Sequence, residues 1–209
     1  MSQLAKAYSL TDVNDTRSLY DEWAANYDLE LTSKEQDYVG PIVAVAHVLK
    51  DLGVTSLAPE TEILDAGCGT GLVGTHLAQV GGKKIDGVDL SPGMLKEAAK
   101  TGAYRDLQTA DLTRPLAFED NKYDVLVCVG TFTQAHVGPV ALDEFVRVTK
   151  PGGSIVATVL GSIFESGGYA AKIESLENQG KVKLVSAEME DYRRGPGVRA
   201  RMVVLKVLS

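Results

Sequence analysis

The sequence predicts an α/β fold with a seven-stranded, mostly parallel sheet, helices on both faces and a C-terminal antiparallel hairpin. Three observations carry this reading. The stretch ILDAGCGTGLVG, residues 63–74, passes from the end of an apolar strand through a turn holding Gly67, Gly69 and Gly71. It then enters a segment where Leu72, Val73, Leu77 and Val80 recur at helical spacing. Further strand-length apolar segments, with helical patterns between most of them, continue to residue 160, as a parallel sheet with crossover helices requires. Two more strand patterns close the chain, residues 181–195 and 198–208, joined by Gly195-Pro196-Gly197.

Strand, glycine turn and helix together form the first unit of a Rossmann-like fold. The glycines let backbone approach a ligand, and the helix N-terminus presents free N–H groups with a partial positive charge. Asp65 precedes the first glycine. A pyrophosphate would feel its carboxylate as a like charge, whereas an ammonium or sulfonium group would be attracted. The spacing is GxGxG rather than the GxGxxG of a nicotinamide-dinucleotide site, so a nicotinamide-linked oxidoreductase conflicts with both features. S-adenosylmethionine (SAM) carries both cationic groups, and a carboxylate for the helix N-terminus. DAGCGTG resembles the first motif of the class I SAM-dependent methyltransferases. The resemblance implies that Asp65, Gly67, Cys68, Gly69 and Gly71 border that cofactor.

With 209 residues, the chain suits a single domain with a sizeable core. The expected organisation is one methyltransferase domain over 1–209, with 1–52 a helical lid or cap and 58–209 the Rossmann-like core. A net charge of −7 disfavours a nucleic-acid interface. No apolar run spans a bilayer and the N-terminus has no signal-peptide apolar core, so the chain reads as cytoplasmic. Cys68 and Cys128 have no metal-binding spacing and read as buried free thiols.

Residues 1–15 are polar and read as a loose start. From Asp15 to Leu31 the pattern is helical, with Leu19, Trp23, Ala24 and Tyr27 on one face and Tyr20 beside it. YDEWAANYD resembles the lid segment of small-molecule methyltransferases, where aromatic residues close over SAM. A helix packed on the sheet edge would show the same periodicity. A second helix runs from Val39 to Leu52 and ends at Gly53. His47 on it reads as a surface or edge residue, and His76 on the turn helix lies opposite Leu72.

Residues 83–90 form the second strand. Asp89 at its end lies eighteen residues after Gly71, the place for a carboxylate that accepts from both ribose hydroxyls. Ser91 is the better N-cap for the next helix, with Pro92 just inside it. VDLSPGML resembles the family's continuation. Residues 104–110 form a short third strand. Asp111 in TADL matches the carboxylate that accepts from the adenine amino group in relatives, although a loop acid beginning a turn would look alike. Leu90, Met94 and Leu112 are candidates for the adenine walls, with core packing the alternative for each.

Residues 122–132 form the fourth strand, beside the first at the topological switch point. Val129 and Gly130 at its carboxyl end then face the transferable methyl. No carboxylate occurs in residues 129–137, whereas metal-dependent catechol-type relatives place a metal-binding Asp here, so no metal is expected. His136 is the candidate catalytic base of the segment, and a solvated loop histidine is the alternative. A helix over 139–150 ends at Lys150-Pro151-Gly152-Gly153, which resembles the family's KPGG turn. The fifth strand spans 153–160, a Gly/Ser-rich rim 161–168, and a helix 169–179. Arg193 and Arg194 read as solvated strand-end charges. Within the family, the chain most resembles the small Williams–Beuren-region methyltransferase-like group.

The resemblance implies methyl transfer from SAM to a small acceptor, independent of a metal. A non-catalytic SAM-binding or regulatory module is the alternative.

Overall fold

A computed structural model describes residues 3–7, 10, 12–133 and 137–209. Its elements run α1 (Gln3–Ala7), α2 (Val13–Leu31), α3 (Gly40–Leu52), β1 (Glu62–Ala66), α4 (Leu72–Gln79), β2 (Lys84–Asp89) and α5 (Pro92–Lys100). They continue with β3 (Asp106–Thr109), β4 (Tyr123–Phe132), α6 (Ala141–Val148), β5 (Thr149–Leu160), α7 (Tyr169–Asn178), β6 (Val182–Arg193) and β7 (Val198–Val207). The sheet order is β3-β2-β1-β4-β5-β7-β6. Strands β1 to β5 pair in parallel, and β7 is antiparallel to both β5 and β6. This is the expected α/β class, seven strands and terminal hairpin included.

Strand alternation assigns the two faces. Ile63, Ile85, Val125, Val127 and Val156 face α3 and α4 and pack on Val45, Val48, Val73 and Leu77. Leu64, Leu126, Cys128 and Ile155 face α6 and α7 and pack on Leu142, Phe145, Ile173 and Leu176. Helix α5 starts as expected, with the Ser91 hydroxyl accepting from the Met94 amide and Pro92 in the first turn. Helix α3 ends at Gly53, in the left-handed region at φ 68°.

Several local expectations need correction. The start of the chain contains α1, whose Ala7 is buried against Trp23 and Leu31. Helix α2 begins at Val13 because Asp12 caps it, accepting from the Asn14 and Asp15 amides. Within residues 1–52, α3 packs in the sheet's helical layer. The third strand is shorter than 104–110, since Tyr104 turns inward and Arg105 is drawn into an ion network. The helix after Pro139 ends at Val148. Lys150 to Gly153 form an irregularity within β5, where the register with β4 jumps from Tyr123↔Thr149 to Val125↔Ser154. His47 is buried, its Nε2 lying 3.2 Å from Glu190 Oε1 on β6. Arg193 is buried as well and donates to Gln36 Oε1 at 2.8 Å. The end of the hairpin grips the α2–α3 linker through Val39 N→Tyr192 O and Arg194 N→Asp37 O.

A polar network fastens the amino ends of the strands. Asp86, nearly fully buried, accepts from Arg105 Nε and Nη2, both at 2.8 Å, from the Tyr123 hydroxyl at 3.0 Å and from Lys122 Nζ at 3.2 Å. Burial pushes the Asp86 carboxyl up. The Arg105, Tyr123 and Lys122 donors outweigh burial and hold it below the ordinary carboxylate range. A carboxyl depressed in the folded state stabilises above its unfolded value, about 3.9, and that contribution disappears as pH falls through the folded value. We expect Asp86→Ala to lower unfolding free energy by about 1–3 kcal/mol at pH 7. The gap to the parent should narrow below pH 4. Denaturant titrations at both pH values would check this, and an equal gap at each would contradict the assignment.

Candidate functional site

The cleft opens at the carboxyl ends of β1, β2 and β4, at the switch point of the sheet. Its empty space is about 830 Å³, open mouth included. Eleven of the expected residues line it: Tyr20, Tyr27, Gly67, Gly69, Asp89, Leu90, Met94, Asp111, Leu112, Val129 and Gly130. Thr131 and Thr133 stand at the switch-point end, with Val13, Thr16, Ala110 and Val137 completing the wall.

The turn after β1 is held by backbone. Gly67 and Cys68 amides both donate to Val88 O, at 2.8 and 2.9 Å. Gly67, Gly69 and Gly71 have φ of 77°, 54° and 95°, which side chains other than glycine rarely adopt. A Cβ on Gly67 would lie 2.2 Å from Thr131 Oγ1, while one on Gly69 would meet open space. Asp89 anchors the turn: its Oδ2 accepts from Gly69 N at 2.9 Å and its Oδ1 from Ser91 N at 2.9 Å. Burial raises the Asp89 carboxyl above its ordinary value, opposed by the Ser91, Gly69 and Leu90 amides. A carboxylate has about four acceptor positions, so the three amides directed at it leave room for a ligand hydroxyl. Asp111 lines the cleft while its Oδ1 accepts from the Thr113 amide at 2.9 Å and hydroxyl at 2.6 Å.

Helix α2 closes one side. Tyr20 and Tyr27 line the cleft and flank the buried Trp23, with ring centroids 6.0 and 4.7 Å from it. Two carboxylates pin this helix to the core. Asp21 Oδ1 accepts from Ser91 Oγ at 2.5 Å and from the Gly93 amide at 2.8 Å. Asp28 Oδ1 accepts from Thr70 Oγ1 in the glycine turn at 2.5 Å. Val13 and Thr16 went unread in the sequence, although 13, 16, 20 and 27 share a helical face.

Three of the expected residues are not among those that line the cleft. Asp65 is fully buried, on the sheet face that Ile63 also occupies, and does not line the cleft. Its Oδ2 accepts from the Tyr104 hydroxyl at 2.6 Å. Cys68 and Gly71 also lie off the cleft: Cys68 is buried, and Gly71 is the N-cap of α4. Both cysteines are free, and burial pushes the Cys128 thiol up to about 12. His136, the candidate base, lies outside the described residues, with Gln134 and Ala135. His76 Nδ1 lies 3.2 Å from Gln79 Oε1 on its own helix.

These residues fit SAM. A glycine at open space, a carboxylate with a spare acceptor position and the apolar Leu90, Met94 and Leu112 suit turn, ribose and adenine in order. Asp89→Ala should therefore weaken binding of SAM and of S-adenosylhomocysteine (SAH) alike, by about 1–3 kcal/mol. Calorimetry on a folded variant checks this, and unchanged affinity would remove Asp89 from the site.

The family described as "Methyltransferase domain" matches residues 64–157. Methyltransferase-like protein 27 of Homo sapiens is 33% identical over 158 residues, covering 75% of this chain and 62% of that protein. Demethylmenaquinone methyltransferase of Chlorobaculum tepidum is 33% identical over 143 residues, covering 66% and 56%. The chain thus spans about three-fifths of the length of these curated relatives. Among solved structures, magnesium protoporphyrin IX methyltransferase from Synechocystis with bound SAH superposes with a TM-score of 0.69 at 17% identity, covering 95% of this chain and 100% of that one. That likeness is one of fold. Glycine turn, strand order, family match and relatives together make residues 64–157 similar to the methyltransferase domain of the class I SAM-dependent enzymes.

Proposed function

We propose that the chain catalyses metal-independent methyl transfer from SAM to a small-molecule acceptor. One observation supports this most: a single cleft joins the residues that suit a nucleoside, Asp89, Asp111 and Leu112, to a switch-point end with two hydroxyls, Thr131 and Thr133. Bound SAM supplies an activated methyl on its sulfonium. The chain's own part is alignment and exclusion of water, worth up to about 7–11 kcal/mol when the geometry is good. The glycine turn and Asp89 hold one end of the ligand. Tyr20, Tyr27 and Thr16 of α2 cover it, and Val129 to Thr133 face the acceptor. The small-molecule reading draws on relatives whose names give such acceptors, demethylmenaquinone among them, and on the net charge of −7. The metal-free reading draws on the lack of any carboxylate in residues 129–137.

Incubation with SAM carrying a labelled methyl and a small-molecule cell extract tests the proposal. Label should pass to a small product and persist in EDTA. Failure to transfer label would favour a binding module instead, and loss of transfer on chelation would refute the metal-free part. If the acceptor must lose a proton, His136→Ala should lower turnover by about 10²–10⁴-fold with cofactor affinity nearly unchanged. Full activity of that variant across pH 6–9 would rule out a base role.

We read α2 and its linker, residues 16–38, as the part of the domain that orders further around the cofactor, since Tyr20 and Tyr27 line the cleft and a bound cofactor would add contacts to them. Amide hydrogen exchange there should slow on addition of SAH. Equal protection with and without SAH would mark a permanently docked helix.

A further inference from the structure

Helix α4 starts without a capping side chain of its own. Its N-cap is Gly71, and the turn ahead of it is kept bare for the ligand. Tyr104, just before β3, supplies the missing acceptor from outside. The Gly74 amide, in the first turn of α4, donates to the Tyr104 hydroxyl at 3.2 Å, and that hydroxyl donates to Asp65 Oδ2 at 2.6 Å. Three glycines make room for the ring. A Cβ on Gly74 would lie 2.3 Å from Tyr104 Cζ, one on Gly87 2.9 Å from Cδ1, and one on Gly71 3.1 Å from Cε2. The ring is wedged between β2, the turn and α4. Asp65 Oδ1 has no hydrogen-bond partner among the described residues, so Tyr104 is the side chain that holds this buried carboxylate.

We propose that Tyr104 is a positioning residue for the cofactor: its hydroxyl, held between the Gly74 amide and Asp65, fixes the glycine turn in its cofactor-binding shape and keeps Asp65 as an acceptor behind that turn. The proposal rests on the cleft being the SAM site. It separates two parts of one side chain. The ring fills the space under the turn, and the hydroxyl links β1 to the start of α4.

The charge of Asp65 gives the link a signature. Burial lifts its carboxyl to about 7, the Tyr104 hydrogen bond pulls it down, and the charge of Asp89 pushes it up. The titratable groups facing it are Tyr104 ahead of β3, Asp89 at the end of β2, Cys68 in its own turn and Cys128 on β4; α4 contributes the Gly74 amide. As pH falls through about 7, Asp65 loses the charge that attracts a cationic ligand and that strengthens the hydrogen bond it accepts from Tyr104. Without the phenol, that loss begins at higher pH.

Calorimetric titrations of SAM and SAH into the full chain at pH 6–9, for the parent, Tyr104→Phe and Asp65→Asn, test this. The ligand's own amino group titrates equally in all three and cancels in the comparison. We expect Tyr104→Phe to unfold cooperatively, to bind SAH about 10-fold more weakly, and to shift the pH midpoint of SAM affinity upward. Asp65→Asn keeps an acceptor for the phenol and should abolish the step near pH 7. Unchanged affinity in Tyr104→Phe would overturn the proposal, and so would weaker binding with an unshifted pH midpoint, which marks a packing role alone. If Tyr104→Phe fails to fold, Asp65→Asn decides: a step near pH 7 that persists in it overturns the proposal, and loss of the step supports it. A parent chain that binds neither ligand refutes the cleft reading, and the proposal with it, whereas a parent that binds leaves the variants to judge Tyr104 alone.

Discussion

A ligand that meets backbone leaves no room for side chains, and the turn between β1 and α4 is built around that constraint. Gly67, Gly69 and Gly71 all lie at positive φ, and none offers a side chain to hold the turn or to cap the helix after it. The required partners come from other elements. Asp89 at the end of β2 takes the Gly69 amide, Tyr104 before β3 takes the Gly74 amide, and Asp28 on α2 takes the Thr70 hydroxyl. A typical hydrogen bond of this kind contributes about 0.5–1.5 kcal/mol. Their larger effect is to fix the turn before a ligand arrives, so less ordering remains to be done on binding.

The same constraint shapes the charge around the cleft. The polar groups that hold the turn and α2 are largely carboxylates: Asp21, Asp28, Asp65 and Asp89, with Asp111 on the far wall. Burial raises Asp65 and Asp89, and each lies within the field of other acids. Such a site favours a cationic ligand and disfavours a pyrophosphate. The opposite end of the sheet is built differently. There Asp86 is matched by Arg105 and Lys122, and the network serves stability. The two ends divide the work as parallel α/β sheets generally do, with ligands at the carboxyl ends of the strands.

Helix α2 belongs to both roles. Its aromatic face packs Trp23 into a small core with Ala7 and Leu31 and turns Tyr20 and Tyr27 to the cleft. Asp21 reaches the first turn of α5, where free amides favour an anion. The linker after α2 is gripped by the end of the β6–β7 hairpin, where a Cβ on Gly195 would collide with Glu35 O. The cover of the cleft is thereby tied to the last strands of the chain.

What the sequence alone determined was set by short-range rules. Apolar periods marked the strands, Ser91-Pro92 and Gly53 marked helix ends, and glycine spacing with Asp89 marked the ligand side, because each is written in neighbouring residues. Tertiary structure decided the rest. Strand alternation turned Asp65 away from the cleft toward Tyr104, thirty-nine positions on. His47 found Glu190 and Arg193 found Gln36 across more than a hundred residues, so residues that read as exposed became buried and paired. Tyr104 looked like part of a strand and serves as the support under the glycine turn. Period and spacing say which face a residue takes only when the partner on that face is known, and the partner is supplied by the pairing of distant elements.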